Sequence, residues 1–316
     1  MGSTSGSSGT SSPDGRRRLA IALAVGIPSA LFAWSSIRSG SAVSDFAYWW
    51  TAARVVAHGG DPYALQPGSA GWPLPDPFFY PLPAVFPILP IAWLPLPIAG
   101  GIFMGISGGL LAWCLARERA HRLWMFASAP YVLALRVGQC SPVLLAAAFL
   151  PWLGWLLPWK PQIGLPAFAF RPTRVAALLA ACAVAASFVV LPGWVAGWRG
   201  NVALLEFHPI PLLTWAGPLL LLGVLRWRTP EGRLFLAMIC VPQELFFADQ
   251  LPLQLIARTR RQSALLAAAS LAAFAGWFAL LRSGDLYVLR AAPWVLGLVY
   301  LPALGVLLWN RRERAT

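Results

Sequence analysis

Long apolar runs alternating with short arginine clusters set the pattern of this chain. Leu19 to Ile37 follows Arg16-Arg17-Arg18, and further apolar runs are read at 99–116, 123–137, 142–158, 175–192, 212–225, 263–281 and 291–309. A helix needs roughly 17–25 apolar residues to cross a hydrocarbon core of ~30 Å. Strands of a membrane barrel would alternate polar and apolar residues, a pattern these runs do not follow. The predicted fold is therefore all-α: a polytopic transmembrane helical bundle of about eight to ten spans. Residues 16–316 form a single membrane domain, behind a disordered Gly/Ser/Thr-rich tail at 1–15.

Arginine-rich connectors lie at Arg117–Arg122, Arg171–Arg174, Arg226–Arg233, Arg258–Arg261 and Arg311–Arg314. Basic residues collect on the cytoplasmic side of membrane proteins, which predicts a cytoplasmic N-terminus and an extracytoplasmic first loop at about 38–78. Placing every connector inside requires two irregular pieces. One is Phe78–Pro97, interrupted by Pro81, Pro83, Pro87, Pro90, Pro95 and Pro97; the other is Leu234–Ala257, which carries Pro242, Gln243, Glu244, Asp249, Gln250 and Pro252. Both would be re-entrant or interfacial. The competing topology makes both full spans and puts Arg117–Arg122 and Arg226–Arg233 outside. The first apolar run also fits a signal peptide cleaved near Ser41-Ala42. An uncleaved span is preferred, because the apolar core is long and cleavage would leave the following loop untethered.

Composition narrows the class. With 316 residues, 58% of them hydrophobic and 11% charged, the chain is no soluble globule. The net charge of +13 sits in the connectors, so it reads as topology anchoring rather than nucleic-acid binding. Cys114, Cys140, Cys182 and Cys240 lack CxxC spacing and read as buried thiols, and His58, His121 and His208 share no metal-ligand spacing. No cofactor or metal is expected.

Only eleven carboxylates occur in the chain. Asp45 follows the first span and opens Asp45-Phe46-Ala47-Tyr48-Trp49-Trp50, where Phe46, Trp49, Trp50, Ala53 and Val56 recur at helical spacing. This predicts an amphipathic helix in the outer interface, with Asp45 as an N-cap, a catalytic base, or both. Gly59-Gly60-Asp61-Pro62-Tyr63 is a turn by composition. Tyr63 is a candidate to stack on a sugar or lipid head, Tyr80 falls near the same outer interface, and Gln139 is a candidate to hydrogen-bond a sugar or cap a helix. Lys160, the only lysine, lies between Pro158 and Pro161 in an apolar stretch. It either snorkels to an interface or faces a cavity or an anion. His208, with Glu206, falls in the Trp194–Pro211 connector. Glu244 and Asp249 are intramembrane carboxylates, but their spacing of five does not bring them to one helical face.

The order of the Asp45 loop entry, Gly60-Asp61-Pro62-Tyr63, Phe79-Tyr80-Pro81-x-Pro83, Gly138-Gln139 and Lys160-Pro161 resembles the glycosyltransferase family 87 group of integral-membrane enzymes with the GT-C architecture. The likeness covers about residues 40–165. It departs from the family in overall length and in the short separation of Gln139 from Lys160. The resemblance implies a transferase in the cell membrane with an extracytoplasmic active site. It would move a hexose, commonly mannose, from a polyprenyl-phosphate donor to a lipid-linked or glycan acceptor. Asp45 would be the base, Lys160, Arg54 or Arg136 would face the phosphate, and His208 would orient the base or contact the donor. A competing class is a carrier or flippase for a lipid-linked or amphiphilic solute, which broken helices and the intramembrane Gln243, Glu244 and Asp249 also suit. A scaffold subunit without a ligand is the third.

Overall fold

The computed structural model describes residues 13–40, 44–204, 209–281 and 291–310. Those residues form helices and helical turns, with no named strand among them. In chain order the α-helices are α1 (Pro13–Ser39), α2 (Asp45–Ala57), α3 (Leu96–Glu118), α4 (Ala129–Val137), α5 (Ser141–Ala147), α6 (Pro161–Phe170), α7 (Arg174–Val190) and α8 (Trp194–Val202). They continue with α9 (Gly217–Leu220), α10 (Pro230–Cys240), α11 (Arg260–Leu281), α12 (Ala292–Val295) and α13 (Leu301–Trp309), the last two joined through a π-helical turn at Leu296–Tyr300.

Among the described residues, four helical stretches are long and apolar enough to cross a membrane: Asp14–Ser39, Leu96–Glu118, Arg260–Leu280 and Ala292–Trp309. Two bent pairs raise the number to six: α4 with α5, bent by 115°, and α7 with α8, bent by 100°. The all-α, multi-pass membrane character of the chain stands, with four to six candidate spans rather than the eight to ten expected. The difference arises where apolar runs are too rich in proline and glycine to stay helical. The 142–158 run breaks into α5 and 3₁₀ turns at Pro151–Trp159, and the 212–225 run into α9 and a short 3₁₀ piece. Helix α1 begins at Pro13, so the last residues of the expected tail are helical; residues 1–12 lie outside the described residues.

Helices α1 and α3 pack antiparallel through small residues. A Cβ on Gly26 would meet the Gly105 carbonyl at 2.8 Å, one on Gly109 the Ala22 carbonyl at 3.1 Å, and one on Gly101 the Ala30 carbonyl at 3.0 Å. Glycines four apart clear one face of α3 and let the two backbones touch, which is how helices associate where lipid supplies no hydrophobic drive. This pairing orients the bundle. The start of α1 and the end of α3 share one end; the end of α1 and the start of α3, where Gly100 abuts Ile37 and Phe46, share the other.

Neither irregular segment is a continuous helix of span length. Residues 78–97 hold 3₁₀ turns at Leu82–Val85 and Leu89–Ile91, and 241–257 hold a loop followed by 3₁₀ turns at Phe247–Ile256. All ten residues of the latter are buried, the covered setting that irregular backbone requires at membrane depth. Helix α2 departs from the expected interfacial helix. Phe46, Ala47, Tyr48, Trp49, Thr51, Ala52 and Ala53 are all buried, so it is packed on most sides rather than floated on one face. Trp50 donates to the Leu94 carbonyl, fastening α2 to the 78–97 segment.

Candidate functional site

Four separated parts of the chain meet at the start of α2. Ser44, not Asp45, is the N-cap: its hydroxyl oxygen accepts from the Phe46 amide at 3.2 Å and its proton goes to the Val137 carbonyl at 2.7 Å. The carboxylate of Asp45 is thereby released from capping. The same Ser44 bond holds the end of α4 against α2, and Gly138 makes the close approach possible. Its φ is +69°, and a Cβ there would meet that of Phe46 at 2.7 Å, so only glycine fits. The chain then turns through the 115° bend into α5, with Gln139 at the corner.

Gln139 is buried and donates its side-chain N–H to Asp45 Oδ2 at 2.5 Å. Its Oε1 accepts from the Cys140 amide at 2.9 Å, which fixes the amide with its NH₂ toward the carboxylate. Lys160 comes from the junction of the Pro151–Trp159 turns with α6. It is 2% exposed, and its Nζ donates to Asp249 Oδ1 at 2.7 Å. Nζ also lies 5.9 Å from the centroid of the Tyr80 ring. Lysine at this position therefore does not snorkel to a surface. Behind the polar groups stands an aromatic wall: Trp49 packs edge-on to Trp159 at 4.8 Å and to Tyr80 at 5.1 Å, and Phe103 lies between Phe46 and Trp159.

Electrostatics tie the cluster together. Burial is the largest influence on Asp45 and raises its carboxyl to about 6, with the charge of Asp249 adding to the rise and Lys160, Tyr80 and Gln139 opposing it. Glu244 is raised to about 7, again first by burial and then by Asp249. Burial works against the charge of Lys160, but Asp249, Asp45 and Glu244 outweigh it and hold the ammonium above its usual range. Three carboxyl groups thus surround one lysine. Asp45 and Glu244 are half-buried, whereas Asp249 and Lys160 form the closed floor. Helical spacing does not govern the relation of Glu244 to Asp249, because the segment between them is not α-helical, and the charge of Asp249 acts on Glu244.

Three buried acceptors in the same segment have no hydrogen-bond partner among the described residues: Asp249 Oδ2, Gln243 Oε1 and Gln250 Oε1. Their amide nitrogens are committed, that of Gln243 to the Gln162 carbonyl and that of Gln250 to the carbonyls of Glu244 and Phe246. The two amide oxygens are therefore presented as acceptors.

The other expected site residues fare differently. Tyr80 joins the cluster. Tyr63 supports it from behind: its hydroxyl donates to the Tyr80 carbonyl at 2.8 Å, and its ring packs on Phe78. Asp61 is structural, accepting from the Tyr63 amide in a tight turn. Arg54 is exposed, its guanidinium over the Trp50 ring at 4.6 Å, and nine residues of helix place it about 13 Å along the axis from Asp45. Arg136 is exposed as well, and only its carbonyl is engaged, accepting from Ser36. The charges that act most on Asp45 are Lys160 and Asp249. His208 and Glu206 lie outside the described residues. Cys114 and Cys140 are buried as expected, but Cys182 and Cys240 face outward. Among the described residues, no group of three or more His, Cys, Asp or Glu side chains is arranged to hold a metal ion.

No family model, curated protein or solved structure matches the chain.

Proposed function

We propose that the chain is a membrane glycosyltransferase in which Asp45 is the general base for hexosyl transfer from a polyprenyl-phosphate donor to a lipid-linked or glycan hydroxyl on the extracytoplasmic face. The observation that carries this reading is a half-buried carboxyl, raised to about 6 and oriented by Gln139, just beyond the end of a candidate span. A base works best when its pKa lies near the working pH, and it must be reachable by the proton it takes. In the transfer, Asp45 accepts the proton of the acceptor hydroxyl while that oxygen attacks the anomeric carbon. The bond from that carbon to the phosphate oxygen breaks, and polyprenyl phosphate leaves with the electron pair.

Two further features support the sugar and the phosphate. The fixed acceptors of Gln243, Gln250 and Asp249 suit a ligand rich in hydroxyl donors, and leaving such acceptors unpaired costs roughly 1–3 kcal/mol each. Lys160 is the cation whose charge acts most on the base, and it would reach a phosphate by exchanging its Asp249 partner. Arg54 and Arg136 leave the proposal as phosphate ligands because both are exposed, and Arg54 lies about 13 Å along α2 from Asp45. Transfer from a radiolabelled polyprenyl-phosphohexose in proteoliposomes, for the parent and Asp45→Asn, tests the reading; equal rates would end it.

One observation favours a carrier: three carboxyl groups and a lysine packed among broken helices resemble a proton-coupled binding site. Uptake or flipping of the same donor without product would favour that class.

A further inference from the structure

The opposite end of the bundle, where α3 finishes at Glu118 and α11 begins at Arg260, holds a cavity of about 660 Å³. Its lining includes His121, Leu123, Trp124, Phe126 and Arg260. Carboxylates at this end are already used. Glu118 takes two hydrogen bonds from Arg171, and Glu231 is shared by Arg122 and Arg258. Among the described residues, Arg117, Arg119, Arg260 and Arg261 take part in no ion pair. Of these, Arg260 lines the cavity, so its wall carries a positive charge that no described carboxylate pairs with. The start of α11, a helix of 22 residues, adds its positive dipole end beside Arg260. Trp124, 40% exposed, and the half-buried Phe126 supply the apolar part of the lining, the mixture found where aromatic rings meet headgroups.

We propose that this cavity binds the headgroup of an anionic phospholipid, with its phosphate facing Arg260 and its glycerol region against Trp124 and Phe126. Charge complementarity selects the occupant, since a zwitterionic lipid brings its own cation to a wall that already holds Arg260. The apolar lining selects a lipid over free phosphate. Basic cavities between helices at the arginine-rich side of a membrane protein are suited to such headgroups. The site is separate from the Asp45 cluster and does not depend on the transfer reaction.

The experiment titrates the detergent-purified full chain with dioleoyl phosphatidylglycerol and, separately, dioleoyl phosphatidylcholine, with bound lipid counted by native mass spectrometry. Expected is one saturable phosphatidylglycerol per chain, with phosphatidylcholine binding at least about five-fold weaker, the factor carried by roughly one surface charge–lipid contact. Arg260 is exposed, so Arg260→Gln should keep the fold, checked by an unchanged melting temperature. It should weaken phosphatidylglycerol by about five-fold or more. Arg261→Gln removes the same charge one residue along, outside the lining, and should change binding by less than about two-fold. Equal binding of the two lipids, an Arg260→Gln variant that binds like the parent, equal losses in both variants, or full competition by glycerol 3-phosphate at equal concentration would each overturn the proposal.

Discussion

At the arginine-rich end, Glu231 lies between Arg122 and Arg258, at 3.2 and 2.8 Å, and Arg122 also donates to the Ala257 carbonyl and covers the Phe170 ring. At the Asp45 end, Lys160 lies among Asp45, Glu244 and Asp249. Both clusters are buried, yet they are charged in opposite senses. Two cations hold one carboxylate at the first; three carboxyl groups crowd one cation at the second. At Glu231, burial opposes ionisation, but the bond from Arg258 and the charges of Arg258 and Arg122 outweigh it and hold the carboxyl below its usual range. At Asp45 and Glu244, burial combines with the charge of Asp249 and raises the carboxyls to about 6 and 7. A cation-rich cluster locks its carboxylate ionised and serves as a clamp between α10 and the chain around α3 and α11. An acid-rich cluster leaves protons to be exchanged. That contrast, more than burial itself, separates the charges locked in ion pairs from those whose carboxyls are raised.

The largest effect should come from breaking the clamp. Glu231→Ala leaves Arg122, pulled down by burial to about 10, without its carboxylate. Removing one partner of a buried pair costs about 3–5 kcal/mol, so the melting temperature should fall sharply while the transfer rate per folded molecule holds. A variant that melts like the parent would remove the clamp from the account.

Asp45→Asn should act in the reverse way. Ser44 carries the cap, so the substitution leaves the start of α2 intact. Transfer should fall by about 10²-fold or more, the loss expected of a general base, with little change in melting temperature.

The next pair of variants separates the two neighbours of Asp45. Asp249 raises its pKa and Lys160 lowers it. A base works when deprotonated, so activity should rise with pH through about 6 in the parent. Asp249→Asn should move that acid limb to lower pH and Lys160→Met to higher pH, each by about one pH unit, equivalent to ~1.4 kcal/mol. Movement in the same direction would contradict the geometry. The smallest effect belongs to the Arg171–Glu118 pair, whose side chains are 39% and 29% exposed. Glu118→Gln should cost no more than about 1 kcal/mol in a denaturation series.

How much of this was legible beforehand depends on how local the signal is. The helices α1, α3 and α11 follow from apolar length, and Gly138-Gln139 from a glycine that terminates α4 with positive φ. Lys160 stands out in the sequence because a cation in an apolar chain is costly unless it finds a partner; Asp45 stands out from its place at the loop entry, and Gln139 and Tyr80 from their place in the ordered motifs. Other placements depend on geometry that the sequence does not carry. Arg54 shares a helix with Asp45 but is exposed and lies about 13 Å along the axis from it. Tyr63 resembles a ligand-stacking ring until its hydroxyl is found on the Tyr80 carbonyl, a contact across 17 residues. The pairing of Lys160 with Asp249 spans 89 residues and depends on 3₁₀ turns that no periodicity reveals. Judging Glu244 and Asp249 by α-helical spacing hid both. The opposing chemistry of the two clusters was invisible for the same reason, since it rests on which elements meet.

The most direct test of the central claim is the pH–rate profile of hexosyl transfer in proteoliposomes, measured for the parent and for Asp45→Asn. With Asp45 as the base of an acid-rich cluster, the parent should gain activity as pH rises through about 6, and the variant's residual rate should lack that limb. An Asp45→Asn variant that keeps the limb at the same midpoint and with the same amplitude would contradict it.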